Sequence, residues 1–321
     1  MADHADGDGD IFVYRGGRPP QHVTHVLIDE SLHEIEDNAF YRCQNLLTVD
    51  THDGIRKIGK FSFLGCRSLR RINLNSVVEI DSIAFFDCRN LEFVEIGDRL
   101  ETIGNGAFRQ CSSLQHLKLP SIITIGPAAF YYCKNLIDIE FSERLETIEK
   151  QAFQDCLRLQ RIAIPLKRDL FEYDDNVEEY NQFYDCAQLT TVDLVGGIHT
   201  TVASLHMDSW RTEMITEINR INQVLPNTSA DDKSEEIRQW MTSVMDKMDH
   251  YKAAHCMYVK EAITLLELAL WKIKLGEKEE YAAETKAKKA KVDSEGARRE
   301  RRITCGADIV IKNVLPFLKL E

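Results

Sequence analysis

Between residues 23 and 194 the apolar positions fall into one recurring string, Leu-x2-Ile-x4-Phe-x2-Cys-x2-Leu-x2-Ile-x-Ile with conservative swaps, as in Leu100, Ile103, Phe108, Cys111, Leu114, Leu117 and Leu119. Its phenylalanine stands at positions 40, 63, 85, 108, 130, 153 and 183, and the first six copies are 22 or 23 residues apart. A period of that length marks a supersecondary unit that can bury its apolar face only against copies of itself, so the pattern predicts a solenoid. The last three apolar positions of each copy, such as Leu69, Ile72 and Leu74, alternate as in a short strand with one buried face. Each coil should lay that strand parallel to the one before, about 4.8 Å away. The link from this strand to the next leucine alternates in length: three residues at 52–54, two at 75–76, three at 97–99 and two at 120–121. The alternation points to a 45-residue double unit.

Outside the repeat the pattern changes. Ile11 to Tyr14 reads as a strand, Arg15 to Pro20 as a turn, and Val23, Val26 and Ile28 reproduce the strand half of a coil, so residues 11–31 form an N-terminal cap. The coils are expected over 32–195. The seventh phenylalanine arrives after 30 residues instead of 22 or 23, which places an irregular insertion at 166–180. Residues 167–204 carry eight acidic against two basic residues, yet Asp174, Asp175, Glu178 and Glu179 lack the ordered spacing of an EF-hand loop. After Gly196-Gly197 the apolar period becomes helical, through Leu205, Met214, Ile218, Ile221 and Leu225 to Pro226. Ser229 or Ser234 can cap the next helix, whose apolar residues run from Ile237, Trp240, Met241, Val244 and Met248 to Val259, Ile263, Leu266, Leu270 and Ile273. No Gly or Pro interrupts 227–275, which leaves one long helix or a pair with a polar junction near His250. This extension, 196–276, is expected to cover the open sheet edge of the solenoid. Residues 277–321 read as a charged helix followed by an apolar segment, Ile309 to Leu318.

The strings Ile-Gly-x-x-Ala-Phe-x-x-Cys at Ile103 to Cys111 and at Ile125 to Cys133, with Leu-x-x-Ile-x-Ile-Pro at Leu159 to Pro165, resemble the BspA-type leucine-rich repeat over residues 23–194. The resemblance implies an α/β repeat protein: a right-handed leucine-rich-repeat β-solenoid of about seven coils, followed here by a C-terminal α-helical extension. It also implies a strand face presented to protein partners, and bacterial members of the family are mostly cell-surface adhesion proteins. Val195 to His199, Leu265 to Trp271 and Cys305 to Leu318 are similar to extensions in algal proteins that carry this repeat, which implies no activity.

Composition narrows the setting. The chain has 321 residues, 44% hydrophobic and 29% charged, with a formal net charge of −12, all compatible with a globular protein. Residues 1–10 contain four Asp and no apolar run, so they read as a disordered acidic tail rather than a secretory signal. No apolar stretch reaches the roughly 18 residues of a membrane span; the richest, Leu265 to Leu275, contains Glu267 and Lys272. Seven of the nine cysteines share one phase of the repeat, where parallel Cβ directions disfavour disulfides and a linear ladder cannot surround zinc. Reduced, buried thiols and a cytoplasmic or nuclear location are expected.

Chemistry is hard to place on this chain. The phosphate-binding loops, the HExxH zinc motif and the GxSxG elbow are all missing, and His22, His25, His250, His255 and Cys256 lack ligand spacing. No catalytic, cofactor-binding or metal-binding residue is assigned, and the chain is not expected to be an enzyme. The outward strand positions form two columns. One runs Thr48, Arg71, Phe93, His116, Asp138, Arg161, Thr191; the other runs Asp50, Asn73, Glu95, Lys118, Glu140, Ala163, Asp193. Mixed charge disfavours a nucleic-acid groove and suits a protein partner of unknown identity. Phe93 would be its anchor, ringed by Arg71, Glu95, His116, Lys118, Asp138, Glu140 and Arg161. Two alternatives stay open. A nuclear or nucleic-acid-associated factor would use the basic segment 286–302, with Lys286, Lys288, Lys289, Lys291, Arg298, Arg299, Arg301 and Arg302 as a bipartite import signal or phosphate contacts. A cell-surface adhesion role is the second.

Overall fold

A computed structural model describes residues 11–171, 181–195 and 208–287. The repeat pattern is realised as a parallel β-solenoid with two strands per coil. One face carries β1 (Ile11–Tyr14), β2 (His25–Ile28), β4 (Thr48–Asp50), β6 (Arg71–Leu74), β8 (Phe93–Ile96), β10 (His116–Leu119), β12 (Asp138–Phe141), β14 (Arg161–Pro165) and β15 (Thr191–Val195). A second face holds two-residue strands: β3 (Glu34–Ile35), β5 (Lys57–Ile58), β7 (Glu79–Ile80), β9 (Thr102–Ile103), β11 (Thr124–Ile125) and β13 (Thr147–Ile148). This second sheet is continuous across all six of its strands. The first face is not: it consists of a five-stranded sheet ending at β8 and a four-stranded sheet starting at β10.

Inside, the seven repeat phenylalanines are fully buried and lie one on the next, with ring centroids 5.0, 5.0, 5.0, 5.4, 5.2 and 5.5 Å apart and planes within 14° of parallel. Tyr14 of the cap continues the column, 4.7 Å from Phe40. The ring spacing matches the rise of a parallel ladder, so each aromatic contact is made at the same step that pairs the strands.

The corner carrying each phenylalanine supplies a third ladder. In the first six copies the residues two before and two after it adopt positive φ, as at Asn38 (60°) and Arg42 (56°) or Gln151 (57°) and Asp155 (58°). Left-handed backbone costs a non-glycine residue about 1–2 kcal/mol. Here it aims alternate N–H groups at the next coil: Asn38 donates to the carbonyl of Lys60, Phe40 to Ser62 and Arg42 to Leu64, at 2.9, 2.7 and 2.8 Å. Each repeat cysteine from the second coil on also donates its thiol to the phenylalanine carbonyl of the preceding coil, as from Cys66 to Phe40 at 3.0 Å and from Cys111 to Phe85 at 3.2 Å. The cysteines are thus free thiols, as the sequence suggested, but they serve as hydrogen-bond donors as well as filling space.

The last coil has no successor, and two helices close it. Helix α1 (Asp208–Val224) is followed by a 3-10 turn, Leu225–Asn227, and by helix α2 (Lys233–Ala287). In earlier coils the phenylalanine N–H finds a carbonyl of the next coil; Phe183 instead donates to Ser234 Oγ at 2.9 Å. Lys233, buried beside it, donates to the carbonyls of Ala187 and Leu189 at 2.9 and 2.5 Å. Asn222 on α1 accepts the Val192 N–H at 2.8 Å. Met214, Ile221, Leu225, Ile237, Trp240, Met241 and Val244 extend the buried core, and Trp240 Nε1 donates to the Glu217 carbonyl at 3.0 Å. Ser234, a candidate helix cap from sequence, therefore completes the solenoid rather than the helix. The chain divides into two compact units, residues 1–251 and 252–321. Helix α2 has no break at His250, and Met257, Leu265, Leu268 and Trp271 are exposed apolar residues of the second unit.

Two stability outcomes follow from this packing. Phe108→Ala, which hollows a layer shared by three coils, should cost about 3–5 kcal/mol in denaturant unfolding, and Cys111→Ala about 1 kcal/mol or somewhat more because it also removes a donor from the Phe85 carbonyl. Equal losses would contradict the inward stack. Glu217 on α1 meets Lys247 of α2 and Arg220; burial opposes its ionisation, but the two cations outweigh that and hold its carboxyl below the ordinary value of 4.5. Its stabilising effect is complete above pH 4.5 and fades as the pH falls through the lower folded value. Glu217→Gln should cost about 1.5–3 kcal/mol at pH 7, with the gap between the two melting curves narrowing in acid.

Candidate protein-binding face

The register places the outward residues as the alternation requires. Thr48, Arg71 and Phe93 are laterally paired, and so are His116, Asp138, Arg161 and Thr191. In the second column Asn73 pairs with Glu95, and Lys118 is aligned with Glu140, Ala163 and Asp193. Phe93 is 62% exposed at the centre of the face, a large apolar side chain held out by a strand whose neighbours are polar. Ala163 departs from its column in being buried.

Charge on the face is arranged in pairs. Arg71 meets Glu95 at 2.6 Å, and Arg161 bridges Asp138 at 2.8 Å and Asp193 at 2.6 Å. The hydrogen bond to Asp138 is the main reason that the Arg161 guanidinium is held even more firmly protonated than usual. His116 and Lys118 are looser, each 3.8 Å from the carboxylates of Asp138 and Glu140. Exposed pairs of this kind add about 0–1 kcal/mol to stability, so their arrangement matters more for what can dock than for folding.

Two surface features escaped the sequence reading. Ile11, Val13 and Leu27 are exposed on β1 and β2, which makes the N-terminal end of the same face apolar; the alternation of His25 and Leu27 along β2 carried that signal. On the phenylalanine corner, the Arg109 guanidinium lies 4.5 Å from the Tyr131 ring centroid and 5.7 Å from that of Phe86, and the Lys134 ammonium lies 4.0 Å from that of Tyr132. The two Arg109 contacts join residues of successive coils, which only the solenoid geometry brings together, whereas Lys134 and Tyr132 are two residues apart in one coil.

Little on the described residues suggests bond-making chemistry. Burial pushes the repeat thiols above the ordinary range, that of Cys133 to about 12, so they are poor nucleophiles and poor metal ligands. Among the described residues no cluster of three or more His, Cys, Asp or Glu could hold a metal ion, and no helix is long and apolar enough to cross a membrane. The acidic residues Asp174, Asp175, Glu178 and Glu179 and the tail 1–10 lie outside the described residues. Lys286 falls at the end of α2, while Lys288, Lys289, Lys291, Arg298, Arg299, Arg301 and Arg302 also lie outside them, as does the segment Ile309 to Leu318.

Among curated proteins none matches the chain. Solved structures with similar folds include a leucine-rich repeat protein of T. pallidum, 25% identical, with a TM-score of 0.46 over 62% of this chain and 88% of that one. A leucine-rich cell surface protein of Faecalibacterium prausnitzii is 23% identical, with a TM-score of 0.44 over 59% of this chain and 51% of that one. A leucine-rich repeat protein of Bacteroides ovatus is 24% identical, with a TM-score of 0.35 over 54% and 61%. The pattern of the BspA type leucine rich repeat region matches in 6 copies, over residues 21–123, 73–178 and 102–224. With the stacked coils, the phenylalanine column and the strand register all in place, the chain belongs to the BspA-type leucine-rich-repeat family.

Proposed function

We propose that this protein is a non-enzymatic interaction scaffold that binds a protein partner on the strand face of its solenoid. The observation that carries the reading is the exposed Phe93, with Arg71 and Glu95 on the sheet that ends at β8 and His116, Lys118, Asp138, Glu140 and Arg161 on the adjoining sheet that starts at β10. An aromatic anchor ringed by polar side chains is the composition of a protein-binding hot spot. The mixed charge of both columns speaks against a polyanion as the ligand, since a nucleic-acid track needs a run of cations. The seven free thiols of the coils are in keeping with a reducing setting, cytoplasmic or nuclear.

Capture of partners on the immobilised full chain, compared with the double variant Phe93→Ala, Arg161→Glu, tests the reading. Both substitutions lie on the exposed face, so the melting temperature should move little. Partner retention should fall at least about tenfold, the loss expected for a hot-spot aromatic. Unchanged retention of every partner would overturn it.

A further inference from the structure

The strand face is interrupted at one junction. Glu92 and Phe93 each donate their N–H to the Arg70 carbonyl at 3.0 Å, and Ile137 and Asp138 donate to the Gln115 carbonyl at 2.8 and 3.4 Å. Between these, Gln115 and His116 make no such bond to the Glu92 carbonyl, and no pair links β8 to β10. The Cα atoms of other neighbouring strands on this face interleave within 8 Å; those of β8 and β10 largely do not. The second face and the phenylalanine column run through the same two coils intact. The result is a slot open only on the strand side.

The alternating link lengths explain where it opens. The link is three residues after β4, β8 and β12 and two after β6 and β10. Strands that pass from a short-link to a long-link coil pair along all four residues, β6 with β8 and β10 with β12. In the opposite order the ends fall out of step: β4 and β6 share two pairs, and β8 and β10 none; β12 and β14, whose coil carries the insertion instead of a short link, share three. Gly97 sharpens the effect. A Cβ there would stand 2.0 Å from the Asn75 carbonyl oxygen, so the end of β8 is pressed against the preceding coil and away from the following one.

The slot has a definite chemistry. Val94 and Ile96 point inward yet are only partly buried, unlike Ile72 and Leu74 before them or Leu117 and Leu119 after them. On the β10 rim the side chains of His116 and Lys118 are 63% and 77% exposed and stand 3.8 Å from the carboxylates of Asp138 and Glu140, of which Asp138 is already occupied by Arg161. On the β8 rim Glu95 is neutralised by Arg71 at 2.6 Å.

We infer that the slot between β8 and β10 receives an extended segment of a partner protein in which aliphatic residues alternate with acidic ones. A strand entering it presents alternate side chains to opposite sides, aliphatic ones onto Val94 and Ile96 and carboxylates toward His116 and Lys118. Its backbone meets the Glu92 carbonyl and the Gln115 and His116 N–H groups, in the manner of strand addition. The inference rests on the reading of this face as protein-binding and names the kind of partner.

The test uses the full chain and two synthetic peptides, acetyl-(Val-Glu)3-Val-amide and its Val-Lys counterpart, with affinity and amide hydrogen exchange as readouts. The acidic peptide should bind at least tenfold more tightly than the basic one, slow the exchange of the Gln115 and His116 amides, and lose at least tenfold in affinity on Lys118→Glu. Equal or absent binding of the two peptides, or binding that leaves those amides unprotected, overturns the slot assignment. So does their protection by raised protein concentration alone, which would give the slot to a second copy of this chain. A captured partner that is lost on Phe93→Ala, Arg161→Glu yet leaves Gln115 and His116 unprotected would overturn the slot while leaving the scaffold reading intact.

Discussion

Every level of this structure depends on phenylalanine rings lying flat on one another at about the spacing of a parallel strand ladder. Because the two distances agree, a coil cannot slide against its neighbour at the phenylalanine corner without losing ring contact and the corner's backbone bonds together, whereas the strand face can open while the column stays stacked. That coupling makes left-handed corners tolerable even at a β-branched residue such as Ile83, whose N–H reaches the Asn105 carbonyl of the next coil at 2.8 Å. It also gives each cysteine two tasks: the thiol fills the interior and satisfies a carbonyl one coil away. Stability is then a nearest-neighbour property, and the ends need dedicated solutions. Tyr14 extends the aromatic column at one end; Lys233 and Ser234 supply the missing donor and acceptor at the other.

The same coupling bears on the candidate site. If the phenylalanine corner and the two-residue strands fix the spacing of the coils, the strand face is where departures from ideal pairing can appear. The double unit creates them by alternating its links, and the most open junction lies beside the most exposed aromatic of the face. Scaffold and candidate site are thus two consequences of one repeat: strict periodicity on two edges of the coil, controlled irregularity on the third.

Much of this was legible in the sequence because buried positions are chemically restricted. The phenylalanine column, the cysteine phase, the strand of each coil and the outward columns through Arg71, Phe93 and Arg161 all follow from spacing alone. The rest was hidden for physical reasons. A two-residue strand such as Thr102–Ile103 has one inward side chain and therefore no alternation to detect. The positive-φ sites hold residues as different as Arg42, Ile83 and Tyr132, since bonds to the next coil, rather than local preference, impose the conformation. Ser234 looked like a helix cap because serine before an apolar helical run usually is one; its actual partner, Phe183, is 51 residues away in the chain. The alternating links were visible, but their effect on pairing emerges only when strands of unequal coils are laid side by side.

The central claim is that each coil is held by its two neighbours in one fixed register. It is tested most directly by the thermal unfolding of a variant lacking residues 75–119, one complete 45-residue double unit whose removal joins Leu74 to Pro120 and keeps the two-residue link. A single cooperative transition at lower temperature, with the strand signal per coil preserved, is the expected result. Loss of cooperative unfolding in that variant would contradict the account.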